Sequence, residues 1–299
     1  MDRRKFIQHA GMASALAFIP SSILSSCSPK IQGVASEAGL QLYTLREALE
    51  EDFKGTIEKV SKIGYKNLEF FNYSDGKYFG NSIKEVKSII DDLGLKAKSS
   101  HVLTGWAMPE NVGTMTNDWE RTVADAAELG QSHIACAYLF DSERESIDDY
   151  KKLSDLLNSC GETAREYGLQ MAYHNHDFEF QALDGNIPYD LLLSQCDVNL
   201  VKFELDLYWT ARAGVDPVEY FKNNEGRFPL WHVKDMGEGE EQFFSAVGEG
   251  VIDWQRIFNH ASKAGLKQFF VEQDQTKSGK PFIEITKSYE YLKGIKRDG

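Results

Sequence analysis

Apolar positions recur along the chain in two alternating patterns, helical stripes with a 3.6-residue period and short continuous runs. Phe53, Ile57, Val60 and Ile63 form one helical stripe, and Ile83 to Leu93 contains the next. Such segments end at a glycine, which adopts a positive φ after a helix without steric cost, and an apolar run follows within one to three residues. The chain is therefore predicted to consist of successive helix-to-strand units. Five joints show the pattern: Ile63-Gly64-Tyr65, Leu93-Gly94-Leu95, Leu129-Gly130-Gln131, Tyr167-Gly168-Leu169 and Ala264-Gly265-Leu266.

The pattern predicts eight strands that alternate with eight helices. Alternation throughout indicates a parallel sheet, and eight units favour a single (β/α)8 TIM barrel over residues 38–299. An open doubly wound sheet is the structural alternative, although no G-x-G-x-x-G follows any predicted strand. The strands are predicted near 39–43, 67–71, 96–101, 132–138, 169–175, 200–206, 229–234 and 268–272. The helices are predicted near 52–63, 81–93, 117–129, 147–167, 188–195, 216–223, 253–263 and 281–294.

The first 27 residues have the pattern of an export signal. Arg3-Arg4 precedes a weakly apolar segment, residues 10–24, that contains Pro20 and is too short to span a membrane. The paired arginines predict a twin-arginine signal, and hence a periplasmic protein. Leu24-Ser25-Ser26-Cys27 resembles a bacterial lipobox, which predicts a lipid on Cys27 as the one membrane contact; an ordinary cleaved signal is the alternative. Residues 28–37 are small and polar, as expected of a tether.

Charge narrows the range of partners. The chain has a formal charge of −13, and removal of residues 1–26 leaves 30 basic and 45 acidic side chains, a charge of −15. Such an acidic protein is not expected to bind nucleic acid or a substrate held by several phosphates, because phosphates recruit Lys and Arg. Besides Cys27 there are three cysteines, which we interpret as small buried residues. Homo-oligomer formation is left open.

Ionisable residues cluster at the predicted carboxyl ends of the strands. His174 and His176 share a face because alternate residues of a strand point the same way. A buried unpaired charge is costly, so several such residues at neighbouring strand ends predict one shared site. Imidazoles mixed with carboxylates suit a divalent ion such as Mn, Zn, Co or Mg. The strand-end residues are Tyr43, Glu69, His101, His174, His176, Glu204, Asp206, His232, Lys234 and Glu272.

Two long connections, residues 102–117 and 236–250, follow predicted strands and are expected to overhang the same end of the barrel. Their large apolar residues either form a lid or pack locally; these are Trp106, Met108, Phe243 and Phe244, with Trp119 just beyond. Aromatic residues near the strand ends either stack on sugar rings or belong to the core. These are Trp106, Tyr138, Phe178 and Trp209.

The motifs in this order resemble those of the xylose isomerase-like TIM barrels, the superfamily of sugar isomerases and epimerases, inosose dehydratase and the AP endonucleases. The resemblance implies a divalent metal held by strand-end residues, which here are His174, Asp206, His232 and Glu272. The family usually has Glu at the position of His174, and many members have His at the position of Trp209. The matching motifs are Gly39-Leu40-Gln41-Leu42-Tyr43, Gly64-Tyr65-Lys66-Asn67-Leu68-Glu69, Tyr173-His174-Asn175-His176, Glu204-Leu205-Asp206-Leu207-Tyr208-Trp209, His232-Val233-Lys234-Asp235 and Val271-Glu272.

The resemblance implies chemistry through an enediolate of a sugar. A metal polarises the carbonyl and acidifies the neighbouring C–H, and Glu272, His176 or Lys234 removes the proton. Lys234 alternatively stabilises the oxyanion, and Asp235 orients either Lys234 or the adjacent loop. Epimerase members use two metal-bound glutamates as acid and base, so His174 leaves only Glu272 in that role. The remaining residues are predicted to bind substrate: His101, Glu69, Tyr43, Trp209, Glu204 and Trp106.

The predicted function is that of an exported, metal-dependent isomerase or epimerase of an unphosphorylated sugar or keto-sugar. The motif Tyr-His-x-His also resembles the corresponding motif of inosose dehydratase-like members of the family. A lyase acting on a keto-sugar or 3-keto-glycoside is therefore an alternative. A non-catalytic sugar-binding lipoprotein is an alternative of another class. A glycosidase with Glu204 and Glu272 as its carboxylate pair would leave His174 and His232 unexplained.

Overall fold

Residues 33–298 of the chain are described by the computed structural model, and they form the predicted closed barrel. Eight parallel strands surround the barrel axis, with β1 pairing with both β2 and β8 to close it. All eight lie where the apolar runs predicted them, although β1 ends two residues early because Leu42–Leu45 forms a 3₁₀ helix. The strands are β1 Gly39–Gln41, β2 Asn67–Phe70, β3 Lys96–Val102, β4 His133–Cys136, β5 Gln170–His174, β6 Val201–Asp206, β7 Leu230–Val233 and β8 Gln268–Val271.

Helices follow the strands on the outside of the barrel. The helix predicted near 253–263 is interrupted, because His260 leaves the helical conformation (φ −120°, ψ 16°) and its ring Nδ1 bonds to the Arg256 carbonyl at 2.9 Å. The main helices are α1 Phe53–Ile63, α2 Ile83–Asp92, α3 Trp119–Leu129, α4 Ile147–Glu166, α5 Pro188–Gln195, α6 Pro217–Asn223, α7 Trp254–Phe258 and α8 Pro281–Leu292. Shorter α-helices are Arg46–Glu51, Leu207–Arg212 and Ala261–Ala264, and 3₁₀ turns are Val34–Glu37, Asp141–Glu143 and Phe178–Phe180.

The helix-to-strand joints have the geometry that the glycine pattern predicted. All five joint glycines have positive φ, between 65° at Gly94 and 127° at Gly64. At Gly64 an added Cβ would also approach the ring of Tyr289 to 2.5 Å. Glycine therefore permits both the backbone turn and the close packing of the last helix at this joint.

The segment that enters the barrel is longer than predicted. Residues 33–37, which the sequence placed in the tether, pack against the end of the chain, because Val34 and Ala35 are buried and Val34 N–H donates to the Ile295 carbonyl at 2.9 Å. These five residues therefore belong to the folded unit. The predicted signal, Cys27 and the rest of the tether lie outside the described residues. Within residues 33–298, no helix is both long enough and apolar enough to cross a membrane.

Two insertions lie at the carboxyl ends of the strands. After β2, residues 73–82 form a small antiparallel sheet of three two-residue strands, Tyr73–Ser74, Lys77–Tyr78 and Asn81–Ser82. After β7, Asp235–Met236 pairs antiparallel with Phe244–Ser245.

The core is apolar and includes the three described cysteines, all free, at positions 136, 160 and 196. This confirms the interpretation of these cysteines as small buried residues.

Candidate metal centre

At the carboxyl end of each strand from β5 to β8 there are two polar residues, at positions i and i+2. The pairs are His174 with His176, Glu204 with Asp206, His232 with Lys234, and Glu272 with Asp274. Because alternate residues of a barrel strand point inward, each strand contributes a deeper and a shallower side chain. The strand register places His174 beside Glu204 and His232 beside Asp206. The polar side chains are thereby stacked in a deep cluster and a shallow cluster.

The deep cluster combines three imidazoles with two carboxylates. Glu204 Oε2 lies 2.7 Å from His101 Nε2, 3.2 Å from His174 Nδ1 and 3.3 Å from His232 Nε2. Glu69 Oε2 lies 2.5 Å from the same His232 Nε2. Neither carboxylate is exposed at all. Glu69 and Glu204, which the sequence predicted to bind substrate, therefore lie beneath the histidines and orient them instead.

The shallow cluster surrounds the Lys234 ammonium. Lys234 Nζ lies 2.6 Å from Glu272 Oε2, 2.9 Å from Asp206 Oδ2, and 3.1 Å from Asp274 Oδ1. His232 presents its other ring nitrogen here, with Nδ1 2.8 Å from Glu272 Oε2. His232 thus connects the two clusters, with Nε2 in the deep one and Nδ1 in the shallow one.

Burial determines the protonation of the imidazoles. Loss of solvent lowers the pKa of His232 to about 3 and holds that of His174 well below its usual value, an effect that the neighbouring His232 reinforces. The same loss of solvent also lowers the pKa of His176. All three rings are therefore neutral at pH 7, the form in which imidazole binds a metal.

Burial has the opposite effect on the carboxyls. It raises the pKa of Glu204 to about 8 and that of Asp206 to about 7. Burial alone would lower the pKa of Lys234, but the charges of Asp206, Asp274 and Glu272 outweigh it and hold that pKa well above the usual value. Lys234 therefore remains an ammonium at neutral pH, and the excess of buried carboxyls favours a further cation.

The donor set fits a divalent ion. One ligand atom from each of Asp206, His232 and Glu272 lies within 4.8 Å of the others, and His101, His174, Glu204 and His232 form a second such set. Asp206 uses Oδ1 to accept from Trp209 N–H at 2.9 Å, while Oδ2 has no hydrogen-bond partner among the described residues. His174 Nε2 lies 3.6 Å from that Oδ2. The four residues predicted as ligands thus meet, with His174 at the edge of the shallow set.

A cavity of about 750 Å³ opens above the shallow cluster. Seven of the predicted site residues line it: Tyr43, His101, His174, His176, Trp209, Lys234 and Glu272. Tyr138 and Phe178 also line the cavity, and Phe244 closes it from the 236–250 connection. The neutral His176 ring stacks on Phe178, with 5.4 Å between centroids and 2° between planes. The cavity therefore has an ionisable floor and an aromatic wall.

Of the five large apolar residues predicted for a lid or local packing, four do not line the cavity: Trp106, Met108, Trp119 and Phe243. Trp106 is 36% exposed at the surface. Trp119 opens α3, and its Nε1–H donates to the Cys160 carbonyl at 3.2 Å, so this side chain packs locally. The predicted contact between Trp106 and substrate is therefore not supported by its position, because the chain turns outward after Val102 and Leu103.

Sequence reasoning missed Asp274 and Arg144, which both line the cavity. Asp274 follows Glu272 by two residues, so the spacing that paired the two histidines of β5 could have identified it. Arg144 follows a 3₁₀ turn and lies 3.7 Å from the centre of the Phe178 ring. No periodic pattern marks a residue brought to the site by such an irregular segment.

Known proteins are similar to this chain in sequence and fold. A family model described as the xylose isomerase-like TIM barrel matches residues 57–289. The chain belongs to this family. It is 24% identical over 274 residues to an inosose dehydratase of Lacticaseibacillus casei, with 81% of this chain and 89% of the relative covered. Membership confirms the resemblance predicted from the strand-end motifs.

Solved structures share the fold of this xylose isomerase-like barrel. A sugar phosphate isomerase/epimerase from Parabacteroides distasonis superposes with a TM-score of 0.74 at 29% identity, covering 92% of this chain and 98% of that one. The IolI protein with a bound zinc atom superposes with a TM-score of 0.66 at 15% identity, covering 85% and 95%. The His/Glu/Asp clusters of this chain are of the kind that hold a divalent metal.

Replacement of Glu204 by Gln is expected to weaken metal binding about tenfold to a hundredfold without removing any of the four predicted ligands. The carboxyl lies 3.2 Å from His174 Nδ1 and 3.3 Å from His232 Nε2, and loss of a group that supports metal-bound histidines has effects of about this size. Isothermal titration with Mn²⁺ measures the change. The exposed Glu50→Gln is the matched control, and an E204Q protein with wild-type affinity would contradict this role.

Proposed function

We propose that this barrel is a divalent-metal-dependent isomerase or epimerase of an unphosphorylated sugar or keto-sugar. The observation that carries the proposal is the meeting of Asp206, His232 and Glu272, with His174 adjacent, at the floor of a sugar-sized cavity. Mn, Zn, Co and Mg all suit this mixture of nitrogen and oxygen donors. When bound, the ion would polarise a sugar carbonyl and acidify the neighbouring C–H.

The side chains at the floor supply the proton transfers. Glu272 and His176 are the candidate bases, since both line the cavity and the His176 ring is neutral. Lys234 is assigned to the developing oxyanion instead, because three carboxylates hold its pKa well above the usual value and it has no tendency to accept a proton. The sequence allowed two roles for Lys234, proton abstraction and stabilisation of the oxyanion, and we propose the second.

The cavity wall favours a neutral sugar. The basic side chains that line it, within the described part of the chain, are Lys234 and Arg144. Lys234 is already paired with carboxylates, and Arg144 pairs with Asp141 and stacks on Phe178. Aromatic rings such as Tyr138 and Trp209 offer apolar faces of the kind on which sugar rings stack. A phosphate would find little positive charge here, which supports an unphosphorylated substrate.

Elimination of water is the second candidate reaction, and His174 is the residue that favours it. A neutral imidazole stands where an epimerase of this family would have a second glutamate to serve as the opposed base. A single carboxylate base, Glu272, is sufficient to remove a proton next to a carbonyl while a β-substituent leaves. The match to an inosose dehydratase supports the same alternative, with a keto-sugar or 3-keto-glycoside as substrate.

The place of action is inferred from the first 27 residues. Arg3-Arg4 and the lipobox-like Leu24-Ser25-Ser26-Cys27 support export through the twin-arginine route to the periplasm, with a lipid on Cys27 as anchor. That route carries folded proteins, so a barrel that acquires its metal in the cytoplasm could retain it. Labelling of cells with a radioactive fatty acid tests the anchor, and an unlabelled wild-type protein would contradict it.

Removal of the metal is expected to abolish proton exchange. Protein treated with EDTA and then dialysed should no longer incorporate deuterium from heavy water into a ketohexose or methyl 3-keto-glucoside, and Mn²⁺, Co²⁺, Zn²⁺ or Mg²⁺ should restore incorporation. Mass spectrometry reports both the exchange and any elimination, as loss of water from the ketohexose or of methanol from the methyl 3-keto-glucoside. Exchange alone supports the isomerase, and elimination supports the lyase. If protein fully loaded with metal catalyses neither reaction, the sugar-binding lipoprotein is the better description.

A further inference from the structure

The ammonium of Lys234 lies on the two oxygen atoms that a metal at this centre would use. Its Nζ is 2.6 Å from Glu272 Oε2 and 2.9 Å from Asp206 Oδ2, and its side chain is only 3% exposed. The other nearby oxygens of the shallow cluster belong to Asp274, at 3.1 and 3.2 Å. A protein cation therefore already neutralises the carboxylates of Asp206 and Glu272.

Metal and ammonium cannot both retain these contacts without strong repulsion. Carboxylate oxygens bind divalent ions at about 2.0–2.2 Å. A metal on Glu272 Oε2 would thus lie within about 5 Å of an ammonium that is 2.6 Å from the same atom. At this distance the two positive charges repel, and the repulsion is stronger because Lys234, Asp206 and Glu272 are all buried. Loading of the metal therefore requires Lys234 to release these oxygens.

Asp274 offers the position to which Lys234 can withdraw. Both of its carboxylate oxygens accept hydrogen bonds from Nζ, at 3.1 and 3.2 Å, in addition to the ion pairs that Nζ forms with Asp206 and Glu272. Asp274 is not a member of either ligand set and lies at the cavity edge, with its side chain 19% exposed. A small shift of the flexible lysine toward Asp274 would free Asp206 Oδ2 and Glu272 Oε2 while keeping the ammonium paired.

We infer that Lys234 competes with a divalent ion for Asp206 and Glu272 and withdraws to Asp274 when the ion binds. The inference rests on the proposed metal site. Lys234 then weakens metal binding by competing for its oxygens, and Asp274 strengthens it by holding the displaced ammonium. The two residues have opposite effects on metal affinity, and the effect of Asp274 acts through Lys234.

Titration of the purified protein with Mn²⁺ tests this inference directly. Lys234→Met is expected to raise the association constant at least about tenfold, because a competing charge is removed. Asp274→Asn is expected to lower it by about fivefold or more, since the displaced ammonium loses its partner. In the double variant, Asp274→Asn should no longer have an effect. The exposed Lys267→Met and Asp92→Asn are matched controls.

The outcomes separate this inference from the proposed function. Unchanged or weaker binding by Lys234→Met, in a protein whose thermal unfolding remains cooperative, overturns the competition. If that variant does not fold, crystal structures of wild type with and without Mn²⁺ decide, and Nζ still within 3.2 Å of Asp206 Oδ2 in the loaded protein overturns the inference. Suppose instead that Lys234→Met binds Mn²⁺ more tightly but metal-loaded wild type exchanges no sugar proton. That result would overturn only the proposed isomerase and lyase reactions.

Discussion

Replacement of His232 by Ala is expected to abolish both metal binding and turnover. His232 is the one residue that belongs to both sets of potential ligands, with Nδ1 facing Glu272 and Nε2 facing Glu69. Its removal deprives the ion of a nitrogen ligand and takes one partner from each of two buried carboxylates, which keep Gln41 and Lys234. Electrostatic stabilisation by a bound metal is worth several kcal/mol, so kcat/KM should fall by about a thousandfold or more.

Metal analysis and proton exchange with a keto-sugar measure this effect. The control is His260→Ala, since His260 is partly exposed, lies outside both ligand sets, and its ring Nδ1 bonds to the Arg256 carbonyl. Far-ultraviolet circular dichroism establishes that the barrel is retained. A folded H232A protein that keeps stoichiometric metal and near-normal exchange would refute the metal-dependent mechanism, and with it the assignment of Asp206 and Glu272 as ligands.

Replacement of Asp235 by Ala is expected to lower the free energy of unfolding by about 4 kcal/mol. The carboxylate is fully buried and accepts four hydrogen bonds. Its Oδ1 accepts from the backbone N–H of Met236 at 2.8 Å and of Ile252 at 3.2 Å. Its Oδ2 accepts from Gly248 N–H and from Trp254 Nε1–H, both at 2.8 Å. Alanine would leave the buried donors of Met236 and Trp254 without this partner, at a cost of about 1–3 kcal/mol each before the segment relaxes, and would free the part-buried N–H groups of Gly248 and Ile252.

Urea denaturation followed by tryptophan fluorescence measures this loss, with the exposed Asp92→Ala as control. Of the two roles open to Asp235 from its sequence, the structure supports the second, since the side chain anchors the connection that follows β7 and makes no contact with Lys234. Metal affinity of the folded D235A protein should therefore change far less than that of H232A. A change in stability below about 1 kcal/mol would show that the anchor is dispensable.

The barrel could be predicted from the sequence because its evidence is local. Helical stripes such as the one from Phe53 to Ile63, the glycine joints and the apolar runs all reflect interactions within about a dozen residues. The eight predicted strands and seven of the eight helices match the structure closely. The interrupted helix was missed because the conformation of His260 involves a side-chain contact with Arg256 that hydrophobic periodicity does not report.

The candidate site was predicted in composition and only partly in arrangement. Ionisable residues at strand ends identified the four expected ligands, and the structure brings them together. It does not place Trp106 at the cavity, and it puts Glu69 and Glu204 under the histidines. Asp274 was overlooked although the spacing rule applies to it, while Arg144 reaches the cavity from an irregular segment that only the folded chain positions.

The sequence by itself thus determined which residues point into the barrel, because alternation along a strand assigns each side chain to a face. Only the tertiary structure decided their depth, since depth depends on the stagger of neighbouring strands as the barrel closes. That register places Glu204 beside His174 and Asp206 beside His232. It therefore makes one carboxylate of β6 a support for the histidines and leaves the other free for a cation, which in the described structure is Lys234.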